Sequence, residues 1–476
     1  MADLKTHTKT ASDQTTGFTH AAAAWVAQSG QLEIPVSVLR LAEQCLFDWF
    51  AVTVAGTSEE LAPMITSAAT EGEIALNGTA LIGQNRRATE QRAALINGTI
   101  SHALDFDDVN LRMHGHPTVT IAPALLAVAE RQSKSGEALL RAFIVAYQVA
   151  GRLGYAMGDT HYGRGFHATG TIGAVAAAAG CASLLNLSTE ETEAALGLAA
   201  TQASGLKSMF GTMAKPFHAG NAAANGIMAA RLAQAGFTAR QGSLEHVQGF
   251  GSAMSDDSRF DAQDFSCTTS GAPEWEITGN LFKYHAACYL THSTIEAVAR
   301  LRQRYEIVAG DVEDITLYVP ESHQSVCDVT EPKTGLDIKF SIRHLAALAL
   351  TGANTADLSL YSETTAKDAQ LSALRARTKL IGAGIGAADR YGAKVVVLLK
   401  DGTPLETFWD VSTPIADLDA QEAALRAKAV TLIDPKLGIG AADRLLAAVK
   451  GLSVATDLSE LLKAATPTQD NELKTG

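Results

Sequence analysis

The sequence predicts a mainly α-helical protein with a smaller α/β domain. Apolar residues recur at helical spacing toward both chain ends, and the clearest strand patterns fall in the middle. Aromatic residues make up only 6% of a composition rich in alanine and glycine, which favours closely packed helices. A chain of 476 residues is too long for one hydrophobic core, so we expect two domains.

Helical spacing of apolar residues predicts a series of helices from residue 18 to about residue 265. The stretches concerned are Phe18–Val54, Thr89–Leu104, Thr120–Arg131, Gly136–Leu153 and Asn221–Ala235. Ser188 and Glu191 form a capping box, which predicts the start of one more helix. The polar residues 1–17 are predicted to be a disordered tail.

The composition changes near Ser266, and strand patterns follow. Val312–Val319 alternates and is rich in β-branched residues, which predicts a strand. Gly392–Leu399 and Leu405–Trp409 flank an Asp-Gly pair, which predicts a hairpin. Helical spacing returns from Ala420. We therefore predict a large all-helical domain built from both chain ends, residues 18–267 and 413–476, with an α/β domain inserted at 268–412.

Charge, cysteine content and hydropathy narrow the classes of function. The net charge is −13 and no run of Lys or Arg occurs, which argues against nucleic acid as a partner. The five cysteines include no C-x-x-C pair, so we expect reduced thiols in a cytoplasmic protein. The N-terminus lacks the apolar segment of a secretory signal. The most apolar run, Thr171–Leu185, is shorter than a membrane span, so it predicts a buried helix and no membrane association.

Four stretches combine titratable residues with glycines or other small residues: Ser101–Pro117, Gly163–Gly170, Gly211–Gly220 and Phe282–His292. The first contains His102, Asp105, Asp107, Asp108, His114 and His116, and the others contribute His167, Lys215, His218, Lys283, His285 and His292. Charge is costly to place beside a core, so such clusters mark chemistry or a metal. Asp, His and Lys take and return protons near neutral pH when burial shifts their pKa values. These stretches therefore favour acid–base catalysis without a cofactor.

Other interpretations of these residues stay open. Each residue taken alone is more often structural, as a helix cap or a hydrogen-bonded histidine. A metal site could use His114 and His116 with Asp105 or Asp108, but no H-E-x-x-H motif occurs, and we predict no metal. The sequence has no G-x-S-x-G motif and no P-loop. A non-catalytic dimeric scaffold is the remaining alternative.

Taken together, the four stretches resemble the motifs of the MmgE/PrpD family. The matching pieces are Asp105–Asp108 with His116-Pro117, Gly165–Gly170, Lys215–Ala223, Lys283 with Cys288 and His292, and Lys339-Phe340-Ser341. The match runs over nearly the whole chain in the family's order. The resemblance implies a large helical domain with a smaller α/β lid, usually in a homodimer, and an active site between the domains.

The resemblance also implies a reaction. Family members act on small di- or tricarboxylates, without a cofactor, by removing a proton next to a carboxylate. They dehydrate 2-methylcitrate, decarboxylate cis-aconitate or epimerise iminodisuccinate. The residues predicted by this resemblance to be catalytic are Asp105, His116, His167, Lys215 and His285. The residues predicted to bind the substrate are Arg112, His218, Lys283, His292 and Arg343.

Departures from the family pattern distinguish among these reactions. Val109 and Thr118 stand where the dehydratase and the decarboxylase have Thr and Ser, and His344 stands where the decarboxylase has Tyr. The spacing from the aspartates to the His-Pro pair is one residue longer than in the decarboxylase. An epimerase needs two proton-transfer groups, one on each face of Cα, and His285 would supply one of them. We therefore predict an iminodisuccinate epimerase, with a lyase of the same family as the alternative.

Overall fold

The computed structural model describes residues 17–71, 78–265, 275–382 and 391–467. Helices dominate these residues, which confirms the predicted mainly α-helical fold class. The predicted tail at residues 1–17 falls almost wholly outside the described residues, and so does the predicted domain boundary between residues 267 and 268. The chain forms two compact units, residues 1–280 with 433–476 and residues 281–432.

The elements are numbered in chain order. The helices are α1 (Phe18–Ala27), α2 (Val36–Gly56), α3 (Leu61–Thr70), α4 (Glu90–Ser101), α5 (Thr118–Arg131), α6 (Gly136–Gly163), α7 (Ala168–Leu184), α8 (Thr189–Gln202), α9 (Ala214–Gln234), α10 (Phe250–Met254), α11 (His292–Tyr305), α12 (Glu321–Cys327), α13 (Gly335–Lys339), α14 (Ile342–Thr351), α15 (Glu363–Ala366), α16 (Ala369–Ala376), α17 (Leu418–Leu437), α18 (Ala441–Lys450) and α19 (Ser459–Ala464). The strands are β1 (Thr79–Leu81), β2 (Arg86–Ala88), β3 (Val109–Asn110), β4 (Asn280–Leu281), β5 (Val312–Val319), β6 (Thr378–Gly382), β7 (Gly392–Leu399) and β8 (Pro404–Asp410).

Helix α7 forms the centre of the first unit, where it packs against α5, α6, α8 and α9. Small residues let its neighbours approach closely: a methyl group on Gly180 would lie 2.8 Å from Cβ of Ala146, and one on Gly226 would lie 2.5 Å from Cβ of Ala177. Among the described helices, only the stretch Ala168–Leu185 is long and apolar enough to cross a membrane, and 89% of it is buried. This burial confirms the predicted buried helix.

Helices α4 and α9 cross at a pair of glycines. A methyl group on Gly98 would lie 2.7 Å from Cα of Gly220, and one on Gly220 would lie 2.1 Å from the carbonyl oxygen of Leu95. Real side chains do not tolerate such distances, so this close crossing requires glycine on both helices. Helix α4 leads into residues 102–117, and α9 carries Lys215 in its first turn. The crossing therefore sets the distance between two of the predicted motifs.

Helix ends follow local sequence where a cap or a breaker is present. The capping box predicted at the start of α8 is confirmed: the Ser188 hydroxyl accepts from the Glu191 amide at 3.2 Å, and the Glu191 carboxylate accepts from the Ser188 amide at 2.8 Å. The predicted stretch Phe18–Val54 divides into α1, which ends at Ala27 before a short turn at Ser29–Gln31, and α2, which begins directly after Pro35. Helix α6 continues past the predicted Leu153 to Gly163, with a break at Gly158 where φ is +67°.

The second unit is built on a four-stranded sheet with the order β6-β5-β7-β8. Strands β5 and β6 are parallel, whereas the other two neighbouring pairs are antiparallel. The predicted strand at 312–319 and the predicted hairpin are confirmed, and Gly402 takes the left-handed conformation that the hairpin turn needs (φ +89°). Helices α11 and α14 bury their apolar residues in the same core as β5 and β7.

The contacts divide the chain at different residues from those predicted. The sequence pattern ended the inserted domain at residue 412, whereas the second unit runs to Leu432. Most of α17 therefore belongs to the second unit: Leu425 and Ala429 are buried, and the Lys428 ammonium donates to the Lys283 carbonyl at 2.9 Å. A pattern that marks the last strand does not reveal which core the next helix joins.

Candidate active site

The segment after α4 folds back on itself and so brings its aspartates and histidines together. Asn110 and Gly115 exchange backbone hydrogen bonds of 2.9 and 3.3 Å, which close a tight turn. Asp105 has φ +51°, a left-handed conformation that Asp tolerates better than most residues. His116 follows this turn, and its amide donates to the Thr169 hydroxyl at 3.1 Å. This hydrogen bond holds the C-terminal end of the turn against α7.

Asp107 lies between two histidines in the buried part of this segment. The Nδ1–H of His102 donates to Oδ1 of Asp107 at 2.9 Å, and Nδ1 of His116 lies 2.9 Å from Oδ2. Burial would raise the pKa of Asp107, but the attraction of His102 and His116 outweighs it, and that pKa lies well below its usual value. Burial lowers the pKa of His102 to about 4, against the pull of Asp107. The pair is therefore a carboxylate beside a neutral imidazole at neutral pH.

Asp105 lies at the more exposed edge of the same cluster, where it pairs with a lysine. The Lys215 ammonium lies 2.8 Å from Oδ1 of Asp105, and Nε2 of His116 lies 3.6 Å from the same oxygen. The side chains of Lys215 and His116 are only 15% and 14% exposed, whereas that of Asp105 is 38% exposed. A carboxylate with a lysine and a histidine at this range can pass a proton in either direction.

His167 adds a second pair of imidazoles. It is the residue before α7, and its Nδ1 lies 3.0 Å from Nδ1 of His218 on α9, so one ring donates and the other accepts. Burial is the main reason that the pKa of each of these two histidines lies below its usual value. The His167 ring stacks on that of His102 with centroids 5.9 Å apart. His167 and His218 thus join the Asp105, His116 and Lys215 group.

Asp108 is a buried carboxyl behind the cluster. It accepts from the Thr118 amide at 3.3 Å and from the Thr118 hydroxyl. Burial raises its pKa to about 8, so at neutral pH the carboxyl is mostly protonated. This contact ties residue 108 to the first turn of α5, which gives Asp108 a positioning role.

Three predicted site residues, Lys283, His285 and His292, form a separate group within the second unit. Nδ1 of His285 lies 2.6 Å from the Thr355 hydroxyl, and its Nε2 lies 3.3 Å from a Glu296 carboxylate oxygen. The His285 and His292 ring centroids are 4.9 Å apart. Lys283 is almost fully buried, and burial is the first cause that lowers the pKa of His292. The predicted catalytic role of His285 and the predicted substrate contacts of the other two stay predictions.

The two predicted carboxylate-binding arginines already have carboxylate partners. The Arg112 guanidinium lies 3.2 Å from the buried Glu276 carboxylate, which Arg152 also contacts at 3.0 Å. The Arg343 guanidinium forms a two-pronged pair with Asp328 at 2.9 and 3.0 Å. These pairs give both arginines a structural role, and their predicted contact with substrate stays a prediction.

The donor set of the cluster has the composition of a cation site. His102, Asp105, Asp107 and His116 each offer a ligand atom, and these atoms lie within 4.8 Å of one another. The Lys215 ammonium already occupies the side of Asp105 at 2.8 Å, so a divalent ion there would meet a competing positive charge. His114, which the alternative metal interpretation required, instead lies 3.1 Å from Asp159. The geometry fits proton transfer better than metal binding.

Sequence reasoning gave two residues of this site too small a role. His102 and Asp107 were not among the residues predicted to be catalytic or to bind the substrate. Their contact depends on the turn at Asn110–Gly115, and their five-residue spacing after a helix was the only available signal. Phe210 was not predicted at all; its ring packs edge-on against His167 with centroids 4.9 Å apart. An exposed aromatic residue five positions before a motif lysine is a weak signal without a structure.

Comparison with known proteins finds one family whose two domains match most of the chain. The sequence matches the MmgE/PrpD N-terminal domain over residues 20–263 and the MmgE/PrpD C-terminal domain over residues 285–453. It is 29% identical to a cis-aconitate decarboxylase-like protein, oryM, of Aspergillus oryzae, over 92% of this chain and 95% of that protein. It is 25% identical to the cis-aconitate decarboxylase of Mus musculus, over 77% of this chain and 76% of that one.

A further relative is the mitochondrial 2-methylcitrate dehydratase of Yarrowia lipolytica, 25% identical over 81% of this chain and 77% of that protein. The fold and these relatives indicate a family of enzymes that includes lyases. The chain belongs to the MmgE/PrpD family. The resemblance of the four motifs is thereby confirmed at the level of the family, whereas the iminodisuccinate epimerase prediction receives no support from these relatives.

Proposed function

We propose that this protein is a lyase that removes CO2 from a small unsaturated tricarboxylate of the cis-aconitate type, without a cofactor. The observation that carries the proposal is the Asp105 carboxylate with Lys215 at 2.8 Å and His116 at 3.6 Å, backed by the Asp107–His102 pair. The named relatives that extend over most of the chain are a decarboxylase, a decarboxylase-like protein and a dehydratase. They support a lyase over the epimerase that the sequence departures favoured.

The proposed reaction needs one proton and one stabilised carbanion. The bond between an allylic carbon and its carboxylate breaks, CO2 leaves, and the electron pair spreads over the neighbouring double bond and carboxylate. A general acid then delivers a proton to the far end of the allylic system, which shifts the double bond. Substrate and one proton thus become product and CO2, and no oxidant or reductant is required.

The site residues divide these tasks by charge. Lys215 provides a positive charge and a proton beside Asp105, so it is the proposed proton donor. The Asp107 carboxylate orients the ring of His116 through a contact of 2.9 Å with Nδ1. The other ring nitrogen of His116, Nε2, is proposed to face the reacting carbon. Burial keeps His167 and His218 neutral, so the ring whose Nδ1 accepts in this pair has its proton on Nε2 and can donate one hydrogen bond to a substrate carboxylate without adding a second charge.

The predicted epimerase is retained as a second candidate because of one residue. Val109, which follows the paired aspartates, has no hydroxyl where the dehydratase and the decarboxylase have Thr. A site without that hydroxyl has one proton donor fewer for an elimination or a decarboxylation. The predicted lid role of the second unit likewise remains a proposal.

Proton NMR in deuterated buffer separates these reactions. Purified protein is incubated with cis-aconitate, 2-methylcitrate and iminodisuccinate in turn, and evolved CO2 is measured in parallel. We expect CO2 together with one deuterium per product molecule from the unsaturated tricarboxylate. An unsaturated product of 2-methylcitrate without CO2, seen as the methyl doublet becoming an allylic methyl singlet or as a new vinyl signal, would instead identify a dehydratase. Deuterium exchange at Cα of iminodisuccinate with no CO2 from any compound would overturn the lyase and identify the epimerase.

A further inference from the structure

We propose that the natural substrate carries an apolar chain longer than a methyl group in addition to its carboxylates, and that a strip of exposed apolar side chains beside the site binds this chain. The inference rests on the proposed function and adds a substrate class to it. The strip consists of Leu206, Met209, Phe210, Met213 and Phe217, which are between 38% and 51% exposed. These five large apolar side chains lie within the twelve residues 206–217.

Backbone hydrogen bonds fix this strip against the His167 loop. The His167 amide donates to the Gly205 carbonyl at 3.0 Å, and the Lys207 amide donates to the Gly165 carbonyl at 2.8 Å. Phe166 and Leu206 form an isolated bridge between the same two segments. The position of the strip relative to His167 is therefore set by the fold rather than by a free loop.

Phe210 connects the strip to the proton-transfer groups. Its ring stands at 81° to that of His167 with centroids 4.9 Å apart, and the Lys215 ammonium lies 5.4 Å from the ring centre. Phe210 thus lies next to His167 and Lys215, two of the residues that are proposed to act on the substrate. Met213 and Phe217 continue from Phe210 into the start of α9, whereas Leu206 and Met209 precede Phe210.

A small tricarboxylate does not explain such a surface. Every end of cis-aconitate is a carboxylate, and its three charged groups match Lys215 and the histidines rather than methionine and phenylalanine. Several large exposed apolar side chains in one short segment beside a polar site are typical of a contact site, and binding pockets usually combine an apolar wall with a few polar groups. An alkyl chain would cover the strip while the carboxylates occupy the polar cluster. The two methionines are flexible enough to accept chains of different length.

The test compares substrates that differ only in chain length. Turnover is measured with cis-aconitate and with homologues that carry a methyl, butyl or hexyl group. We expect kcat/KM to rise by about twofold to fourfold per methylene, since burial of one methylene favours binding by about that factor. Phe210→Ala should remove at least about tenfold of the advantage that the hexyl homologue has over cis-aconitate.

Two further variants control this comparison. Phe237→Ala removes the same side-chain type from a more exposed position, 57% against 38% for Phe210, just beyond the other end of α9, and should leave the chain-length preference unchanged. Phe210→Leu keeps an apolar side chain and should retain most of the preference. Circular dichroism confirms that each variant is folded. Equal loss for all chain lengths in Phe210→Ala would overturn the proposal and indicate that the strip supports the catalytic residues.

Binding of inert analogues separates failure of this inference from failure of the proposed function. Saturated tricarboxylates with the same alkyl series cannot lose CO2 by an allylic route, and their dissociation constants are measured by calorimetry. Tighter binding with longer chains supports the strip even if no substrate is turned over. Turnover of cis-aconitate with no gain from any alkyl group would overturn only the strip. A loss of dimer mass in Phe210→Ala, with unchanged chain-length preference, would assign the strip to a second copy of the chain.

Discussion

Lys215 is the residue on which the proposed chemistry depends most directly. It provides a cation and a proton at 2.8 Å from Asp105. Lys215→Ala should lower kcat by about 10³-fold, because a positioned general acid contributes about 10²- to 10⁴-fold. Evolved CO2 measures this loss. The half-buried Lys134, between α5 and α6, is the matched control, and Lys134→Ala should retain full activity. A Lys215→Ala enzyme within about threefold of the parent would remove Lys215 from the mechanism.

Asp107 acts through its neighbours rather than on the substrate. Asp107→Asn keeps the shape but removes the charge that holds His102 and His116, so we expect kcat to fall about 10²-fold with little change in KM. Asp107→Glu should recover part of the rate because it restores the carboxylate. Initial rates over a range of substrate concentrations provide both constants. Asp256→Asn, at a surface pair whose carboxylate is 71% exposed, should change neither. A rise in KM alone would contradict the positioning role.

Asp108 makes stability depend on pH. Its pKa is about 8 in the folded protein, against 3.8 as its ordinary value, so between these limits the unfolded chain has lost a proton that the folded protein keeps. The contribution of Asp108 to stability is therefore fully present below about pH 4 and falls as the pH rises toward 8, by up to several kcal/mol.

Asp108→Asn cannot ionise and should remove this pH dependence. The melting temperature of the variant relative to that of the parent should therefore rise between pH 5 and pH 8, and thermal unfolding followed by circular dichroism measures it. Asp159→Asn, at a side chain that is 83% exposed, should show no such trend. A constant difference between Asp108→Asn and the parent at every pH would show that Asp108 is ionised when folded.

At the scale of elements, the crossing of α4 and α9 holds the site together. Gly98→Ala would place a methyl group 2.7 Å from Cα of Gly220, and the two helices would have to separate. Overpacking of this kind costs about 1–3 kcal/mol, and the Asp105–Lys215 contact would lengthen. We expect a lower melting temperature together with a lower kcat. Gly30→Ala, where a methyl group meets nothing within 4 Å, is the control. A stable variant with lost activity would place the effect outside packing.

Elements with a local signal could be predicted from the sequence, and those set by tertiary contacts could not. The capping box at Ser188 and the hairpin at Asp401-Gly402 are encoded within a few residues and appear as predicted. The extension of α6 past Gly158 depends on what surrounds that glycine, where a methyl group would lie 2.5 Å from Oδ1 of Asp257. The same limit applies to α17, whose first part packs into the second unit.

The candidate site shows this limit at the level of the whole molecule. Asp105, His116, His167 and Lys215 were predicted from the sequence motifs, and the first unit brings them together. Their partners could not be predicted in the same way, because they depend on distant residues. For example, no motif in the sequence predicts that Arg343 pairs with Asp328. The particular reaction is harder still, because single substitutions such as Val109 pointed to a different activity from that of the named relatives.

The predicted homodimer also belongs to the scale of the whole molecule. Single exposed apolar side chains such as Val36, Val247 and Ile439 are common on protein surfaces, so the prediction of a dimer depends on the resemblance to the family. Light scattering on the purified protein should therefore give twice the chain mass of 49.8 kDa. The elution of a monomeric protein standard near 50 kDa provides the calibration. A mass of one chain across the micromolar range would contradict the prediction.

The burial of α7 has a consequence for how the protein is made. Its most extensive partner, α9, begins thirty residues after α7 ends, so a ribosome releases an apolar helix before its cover has been synthesised. During that interval the nascent chain presents a segment with the length and hydropathy of a membrane anchor. We therefore expect chaperones to engage ribosome-bound chains that stop at about residue 225, when α7 has left the exit tunnel and α9 has not, and to release them once α9 has emerged.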